Sequence, residues 1–151
     1  MPSKSNNIKP SDLRNFGDEY YYLASPYSPY PGLDLPPVAR VQLMNANYVQ
    51  VCAYAAWLHK QGIWVFSPIV HWHNIAVEYG LPKDAKSWGS YNAAMLSRAI
   101  GVIVACMPNW DRSLGIQEEI EIGKQLPQKI CYCIKQAEEP FFKLSRQPLY
   151  G

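Results

Sequence analysis

The sequence predicts a small three-layer α/β domain, and three observations carry that prediction. Apolar runs of strand length alternate with longer stretches of helical periodicity. The most continuous run, residues 99–106 (Ala-Ile-Gly-Val-Ile-Val-Ala-Cys), is unbroken and rich in β-branched residues, as a strand covered on both faces requires. The first two strands are separated by a helix too long for a hairpin connection, so they should be parallel and joined by a right-handed crossover. A chain of 151 residues can bury one sizeable core. A parallel sheet of about four to five strands fits that size.

Residues 1–18 are polar and mixed and read as a flexible leader, with a single domain over 19–151. The triple tyrosine, Leu23 and Ala24 of residues 20–24 form the first expected strand. It runs into a loop dense in Ser, Pro and Tyr, either a ligand wall or a stiff connector. Pro36-Pro37 opens a helix over residues 38–61, since proline is accepted at the first helical position. Its expected apolar face is Val41, Met44, Tyr48, Val49, Cys52, Ala55, Ala56 and Trp57, and Gly62 ends it. Residues 63–66 form the second strand, and a helix from Ser87 to Arg98 precedes the third, at 99–106. A further helix then leads, past Leu126-Pro127, to a fourth strand over 129–134. The tail carries Phe141, Phe142 and Tyr150 and packs on its own domain or on a neighbouring subunit. If the sheet has flavodoxin-like or Rossmann-like order, the first and third strands are neighbours. The loop ends near Ser25 and residues 108–113 then flank the switch point where such sheets bind ligands.

Composition bounds the function. Apolar residues make up 48% and charged residues 17%, as in a globular protein. A net charge of +2 gives no electrostatic case for nucleic-acid binding. The N-terminus lacks an apolar signal core and no segment reaches membrane-spanning length, so a soluble, cytoplasmic protein is expected, with no membrane partner. Of the four cysteines, none forms a C-x-x-C pair. Cys131 and Cys133 alternate on a strand, sharing a face without being able to bridge, and read as small buried hydrophobes in a reducing compartment.

The chemistry concentrates in residues 107–123, where a strand ends in a Pro, Asn, Asp, Ser and Gly turn and a helix begins. At about 100° per residue, Ile116, Ile120 and Gly123 share the face that packs on the sheet. Glu119 falls on that same face, whereas Glu118 lies at its solvent edge and Glu121 opposite. A carboxylate aimed at a sheet is costly unless hydrogen bonds satisfy it or it faces a cleft. Both readings of Glu119 stand at this point. Ser113 and Gly115 at the turn either cap the helix or hold an anion or sugar hydroxyl at its N-terminus.

Three clusters, residues 22–30, 67–73 and 111–119, should meet at the carboxyl end of the sheet. His71 and His73 lack a clear third ligand, so no metal is expected. Recognition near the cleft and a plain structural role are the competing readings for them. The chain carries no G-x-G-x-x-G, P-loop or G-x-S-x-G motif and no cofactor is expected. A lone inward carboxylate with a tyrosine nearby suits covalent catalysis at an anomeric carbon.

These pieces resemble the nucleoside 2-deoxyribosyltransferase-like superfamily, in particular its small members that begin Y-L-A-S-P-Y-S. The matching segments are residues 22–28, residues 62–69 with His71 and His73, residues 80–82 with Trp88, and residues 110–115 with Glu119, in the expected order. The resemblance implies a flavodoxin-like fold, a homo-oligomer, and cleavage of the N-glycosidic bond of a nucleoside or nucleoside monophosphate by transfer or hydrolysis. It implies that Glu119 is the nucleophile and that Tyr22 positions it. Ser113 and Gly115 then hold the sugar's 5′ hydroxyl or phosphate, and Ser25, Tyr27, His71, His73 and Asn92 surround the substrate. One departure stands out. The family's aspartate, the acid for the departing base, corresponds to Asn92, which cannot supply a proton. Either His71, His73, Asp84 or Asp111 replaces it, or the match slips in that helix, or the chain binds nucleotides without turning them over.

Overall fold

A computed structural model of the chain describes residues 6–14 and 18–148. In chain order its elements are β1 (Asn7–Ile8), α1 (Pro10–Leu13), β2 (Tyr21–Ala24), α2 (Pro37–Lys60), β3 (Val65–Phe66), α3 (Pro68–Tyr79), α4 (Ala85–Ser97), β4 (Gly101–Ala105), a single 3-10 turn (Trp110–Arg112), α5 (Leu114–Gly123), β5 (Ile130–Lys135) and β6 (Phe142–Ser145). One six-stranded sheet runs in the order β1-β6-β5-β4-β2-β3. Four neighbouring strands, β5, β4, β2 and β3, are parallel, and Tyr22 stands between Phe66 of β3 and Val102 of β4. The first and third parallel strands are therefore adjacent, which is the flavodoxin-like order.

The period-2 alternation of β2 sorts the two layers. Tyr21 and Leu23 face α2, in a cluster with Val51, Tyr54, Leu58, Ile103, Cys131 and Cys133. Tyr22 and Ala24 face the other way, in a cluster with Leu96 of α4, Ile116 of α5, Val102 and Val104. Completely buried side chains such as Val51, Leu58 and Ile103 each contribute about 1.5–3 kcal/mol by leaving water. The helices on the Tyr22 side approach closely. A Cβ placed on Gly123 would lie 2.7 Å from Val102 Cγ2, so only glycine fits there. Cys131 and Cys133 are free and buried on one face, and burial pushes both thiols up, Cys131 to about 12.

Three expectations change, and one segment without an expected element gains one. The sheet is mixed rather than wholly parallel, because the tail folds back as β6, antiparallel to β5, and β1 pairs with β6. Residues 6–14 of the expected leader are structured, since Ile8 and Leu13 supply apolar side chains to the α2-side core. Residues 1–5, 15–17 and 149–151, Tyr150 among them, lie outside the described residues. The stretch after β3 is a helix, capped by the Ser67 hydroxyl, which accepts from Val70 N at 3.1 Å, and closed by Gly80 at φ 62°. Finally, α2 buries Met44, Asn47, Val51, Tyr54 and Leu58, while Val41 and Val49 are exposed. Polar and apolar residues are mixed round that helix, so periodicity could not choose its inner face. Gly62, at φ 76°, follows it as expected.

Candidate functional site

A cleft of about 500 Å³ opens at the carboxyl ends of β2 and β4. Four segments build it: the loop after β2, and the helices α3, α4 and α5. Each helix contributes one face at helical spacing. From α3 come Ile69, Trp72, His73 and Ala76, from α4 Trp88, Gly89, Asn92, Ala93 and Leu96, and from α5 Gly115, Ile116, Glu118, Glu119 and Ile122. The loop adds Ser25, Tyr27 and Tyr30. A volume of this order suits a ligand of nucleoside size.

Glu119 sits in the second turn of α5 with its carboxyl enclosed by protein. Burial pushes it up to about 7. The Tyr22 hydroxyl, donating a hydrogen bond, opposes that rise, and the charge of Glu118 adds to it. Tyr22 is 1% exposed, and burial next to the Glu119 charge raises its phenol as well, so it stays a proton donor to the carboxylate. The pairing follows from the strand register: Tyr22 lies on the face of β2 turned toward α5. Ser113 caps α5, its Oγ accepting from Ile116 N at 3.3 Å. A hydroxyl used as an acceptor keeps its own proton to donate. Gly115 has no other atom within 3.4 Å of a placed Cβ, so the backbone at the start of α5 is open to the cleft.

The facing walls have a different character. His73, 5% exposed, meets the Tyr27 hydroxyl at 2.6 Å through Nδ1 and stacks on Tyr48 with ring centroids 4.4 Å apart. Burial, then the Lys83 ammonium, lowers its pKa, so the ring is neutral at pH 7. Asn47 donates from Nδ2 to the Tyr27 carbonyl at 2.9 Å and fixes that loop on α2. Trp72 and Trp88 pack with centroids 3.8 Å apart. Ser25 Oγ, Trp72 Nε1 and Asn92 Oδ1 are buried without a hydrogen-bond partner, and all three residues line the cleft. Buried polar groups are rarely left so, and a cluster of them at one cavity marks a place where a polar ligand or water completes the set.

The cleft brings together Tyr22, Ser25, Tyr27, His73, Asn92, Ser113, Gly115 and Glu119. Two expected residues stand apart. His71 lies two positions from His73, about 200° round α3, and stacks in the open on Tyr91 with centroids 5.9 Å apart. Asp111 belongs to the 3-10 turn and does not line the cleft; its carbonyl accepts from Gln117 Nε2 at 2.8 Å. Asp84 does line it, but its carboxylate caps α4 by accepting from Ser87 N at 3.0 Å, and that contact holds it below its ordinary pKa. Trp72, Lys83 and Asn47 were not singled out from sequence. The signal for Trp72 was the Ser67 cap and Gly80 terminator, which mark residues 68–79 as a helix and put Ile69, Trp72, His73 and Ala76 on one face. Among the described residues no cluster of three His, Cys, Asp or Glu side chains is placed to hold a metal ion.

A family model described as a domain of unknown function, DUF1937, matches residues 19–133, more than half of the chain. The chain belongs to the DUF1937 family. The matched span covers every cleft residue named above, from Tyr22 to Glu119, together with the four parallel strands up to Cys133. β1, α1 and β6 fall outside it, so the DUF1937 unit is the parallel sheet and its cleft. Comparison with curated proteins gives no match. Among the described residues no helix is long and apolar enough to cross a membrane.

Proposed function

We propose that this DUF1937 protein cleaves the N-glycosidic bond of a nucleoside or nucleoside monophosphate, with Glu119 as the nucleophile. The observation that carries the reading is one carboxyl, enclosed in a cleft of nucleoside size and held by a buried tyrosine. A Glu119 oxygen attacks C1′ and the bond from C1′ to the base nitrogen breaks. The resulting glycosyl ester is opened by water in hydrolysis, or by a second base in transfer. Tyr22 orients the carboxylate and favours its charged form. The Ser113 hydroxyl and the open amides at the start of α5 suit the 5′ hydroxyl or phosphate. The resemblance to nucleoside 2-deoxyribosyltransferases supports the same assignment of Tyr22, Ser113, Gly115 and Glu119. It also supports a cytoplasmic homo-oligomer, for which the exposed Val38, Val41 and Val49 of α2 are the surface to examine.

The test is chromatography of ribo- and deoxynucleosides and their 5′-monophosphates after incubation with the protein, with and without an acceptor base. Free or exchanged base is expected with the wild type, and a loss of at least about 10³-fold with Glu119→Gln. Turnover that survives this substitution removes Glu119 from the mechanism. A second reading, a nucleotide-binding module without catalysis, is favoured by Asn92, an amide where a leaving-group acid would stand. It predicts thermal stabilisation by a nucleotide with no base released.

A further inference from the structure

A nucleophile on α5 needs a leaving group that departs from the opposite face of the anomeric carbon, so an acid for it belongs on the walls made by α3, α4 and the β2 loop. Those walls offer little. Asn92 is an amide and has no proton to give. His73 is neutral, with Nδ1 already engaged by Tyr27. Tyr27 is a phenol pushed up to about 12 by burial. Asp84 is committed to its cap, and Glu118 lies on the nucleophile's own helix, exposed to solvent. That wall therefore offers an amide, a neutral imidazole already bonded at Nδ1 and a carboxylate spent on a helix cap, and no free acid for the leaving group.

We infer that the substrate is a pyridinium N-glycoside, whose ring nitrogen leaves without taking a proton. This deepens the proposed function and rests on Glu119 being the nucleophile. As Glu119 bonds to C1′, the pair of electrons in the bond from C1′ to the ring nitrogen returns to that nitrogen. Its positive charge is cancelled and a neutral pyridine departs. Water then attacks C1′, the carboxylate leaves, and one proton is released to solvent. Charge and shape in the cleft agree. Three carboxylates, Asp84, Glu118 and Glu119, line it against one ammonium, Lys83, so a cationic ring is attracted. The indoles of Trp72 and Trp88 give that ring an aromatic wall, and indole is the best partner for a cation over its face. Asn92 Oδ1 and Trp72 Nε1, both without a partner in the protein, are an acceptor and a donor of the kind a ring carboxamide pairs with. A purine offers a similar polar pair, so it is the missing acid and the charge that separate the two classes.

The experiment compares kcat/KM for nicotinamide riboside and nicotinamide mononucleotide with that for adenosine, inosine, uridine and their deoxy and 5′-phosphate forms. At least a 100-fold preference for the pyridinium substrates, abolished along with turnover by Glu119→Gln, is the expected result. Comparable rates on uncharged bases, still dependent on Glu119, overturn the pyridinium assignment and leave the proposed function standing. No turnover of any substrate overturns both. Asn92→Asp, which places a carboxyl on that wall, should narrow the preference at least tenfold. A preference that stays the same or widens in the folded variant shows that this wall does not select the leaving group.

Discussion

The two sides of the cleft solve opposite problems. On the α5 side the reacting carboxyl and the capping hydroxyl have partners inside the protein: the Glu119 carboxylate accepts from Tyr22, and Ser113 Oγ accepts from Ile116 N. On the α3 and α4 side, Trp72 Nε1 and Asn92 Oδ1 are buried with none. A satisfied, enclosed carboxylate is already arranged for chemistry and costs no reorganisation when a substrate arrives. Unpaired groups on an aromatic wall are completed by a ligand, and their desolvation penalty is returned when it binds. The difference separates a side that reacts from a side that recognises.

The strongest way to break this contrast is to take the satisfied side apart. Tyr22→Phe removes a hydrogen bond to a charged group, worth about 2 kcal/mol. It should lower kcat/KM by about 30-fold at pH 6 and move the acidic limb of the pH profile above pH 7, because Glu119 loses the donor that favours its ionised form. An unshifted limb in a folded variant means that Tyr22 does not hold the nucleophile. In the wild type, activity should fall as pH drops through about 7, since the carboxyl must be ionised to attack.

Glu119→Gln tests the same side through stability. The folded state raises this carboxyl to about 7 from an ordinary 4.5, so the native protein binds the proton more tightly than the unfolded chain. The stability this carboxyl contributes is therefore fully present below about pH 4.5 and is lost as pH rises through about 7. The neutral amide should stabilise the protein by about 3 kcal/mol at pH 8, several degrees in Tm, with the gain vanishing near pH 4. Thermal melts at the two pH values decide it, and an equal gain at both denies that the buried charge is its source.

The smallest expected effect lies on the recognising side. Trp72→Phe deletes an N–H that bonds to nothing in the protein and trims an indole packed on Trp88, so stability should fall by about 1 kcal/mol, all of it from lost packing. Ligand affinity should fall by about tenfold, as for the loss of one hydrogen bond. Calorimetry of unfolding and of nucleotide binding separates these effects. Unchanged ligand affinity in the folded variant would mean that the indole N–H does not meet the ligand.

Much of this site was legible because its signals are local. The wheel singled out Glu119 among three neighbouring glutamates, since Ile116, Ile120 and Gly123 fix the inner face of α5 without ambiguity. The burial of Ile116 and Gly123 agrees with that face. The alternation of β2 put Tyr22 opposite Tyr21 and Leu23, but which layer it meets depends on strand order. In α2 the same reasoning chose the wrong stripe, because Val41 and Val49 are as apolar as the buried Val51. His71 and His73 look equivalent in the sequence, and only the rotation of α3 sends one into the cleft and the other onto Tyr91.

The sequence by itself determined the parallel α/β core, the turn that starts α5, and the inward glutamate. Periodicity and turn chemistry are properties of a few neighbouring residues, and they survive without knowledge of the rest. Only the tertiary structure decided that the tail closes the sheet as β6, that α3 and α4 face α5 across a cleft, and that Tyr22 meets Glu119. Those contacts join residues far apart in the chain, and packing of whole layers fixes them rather than local preference.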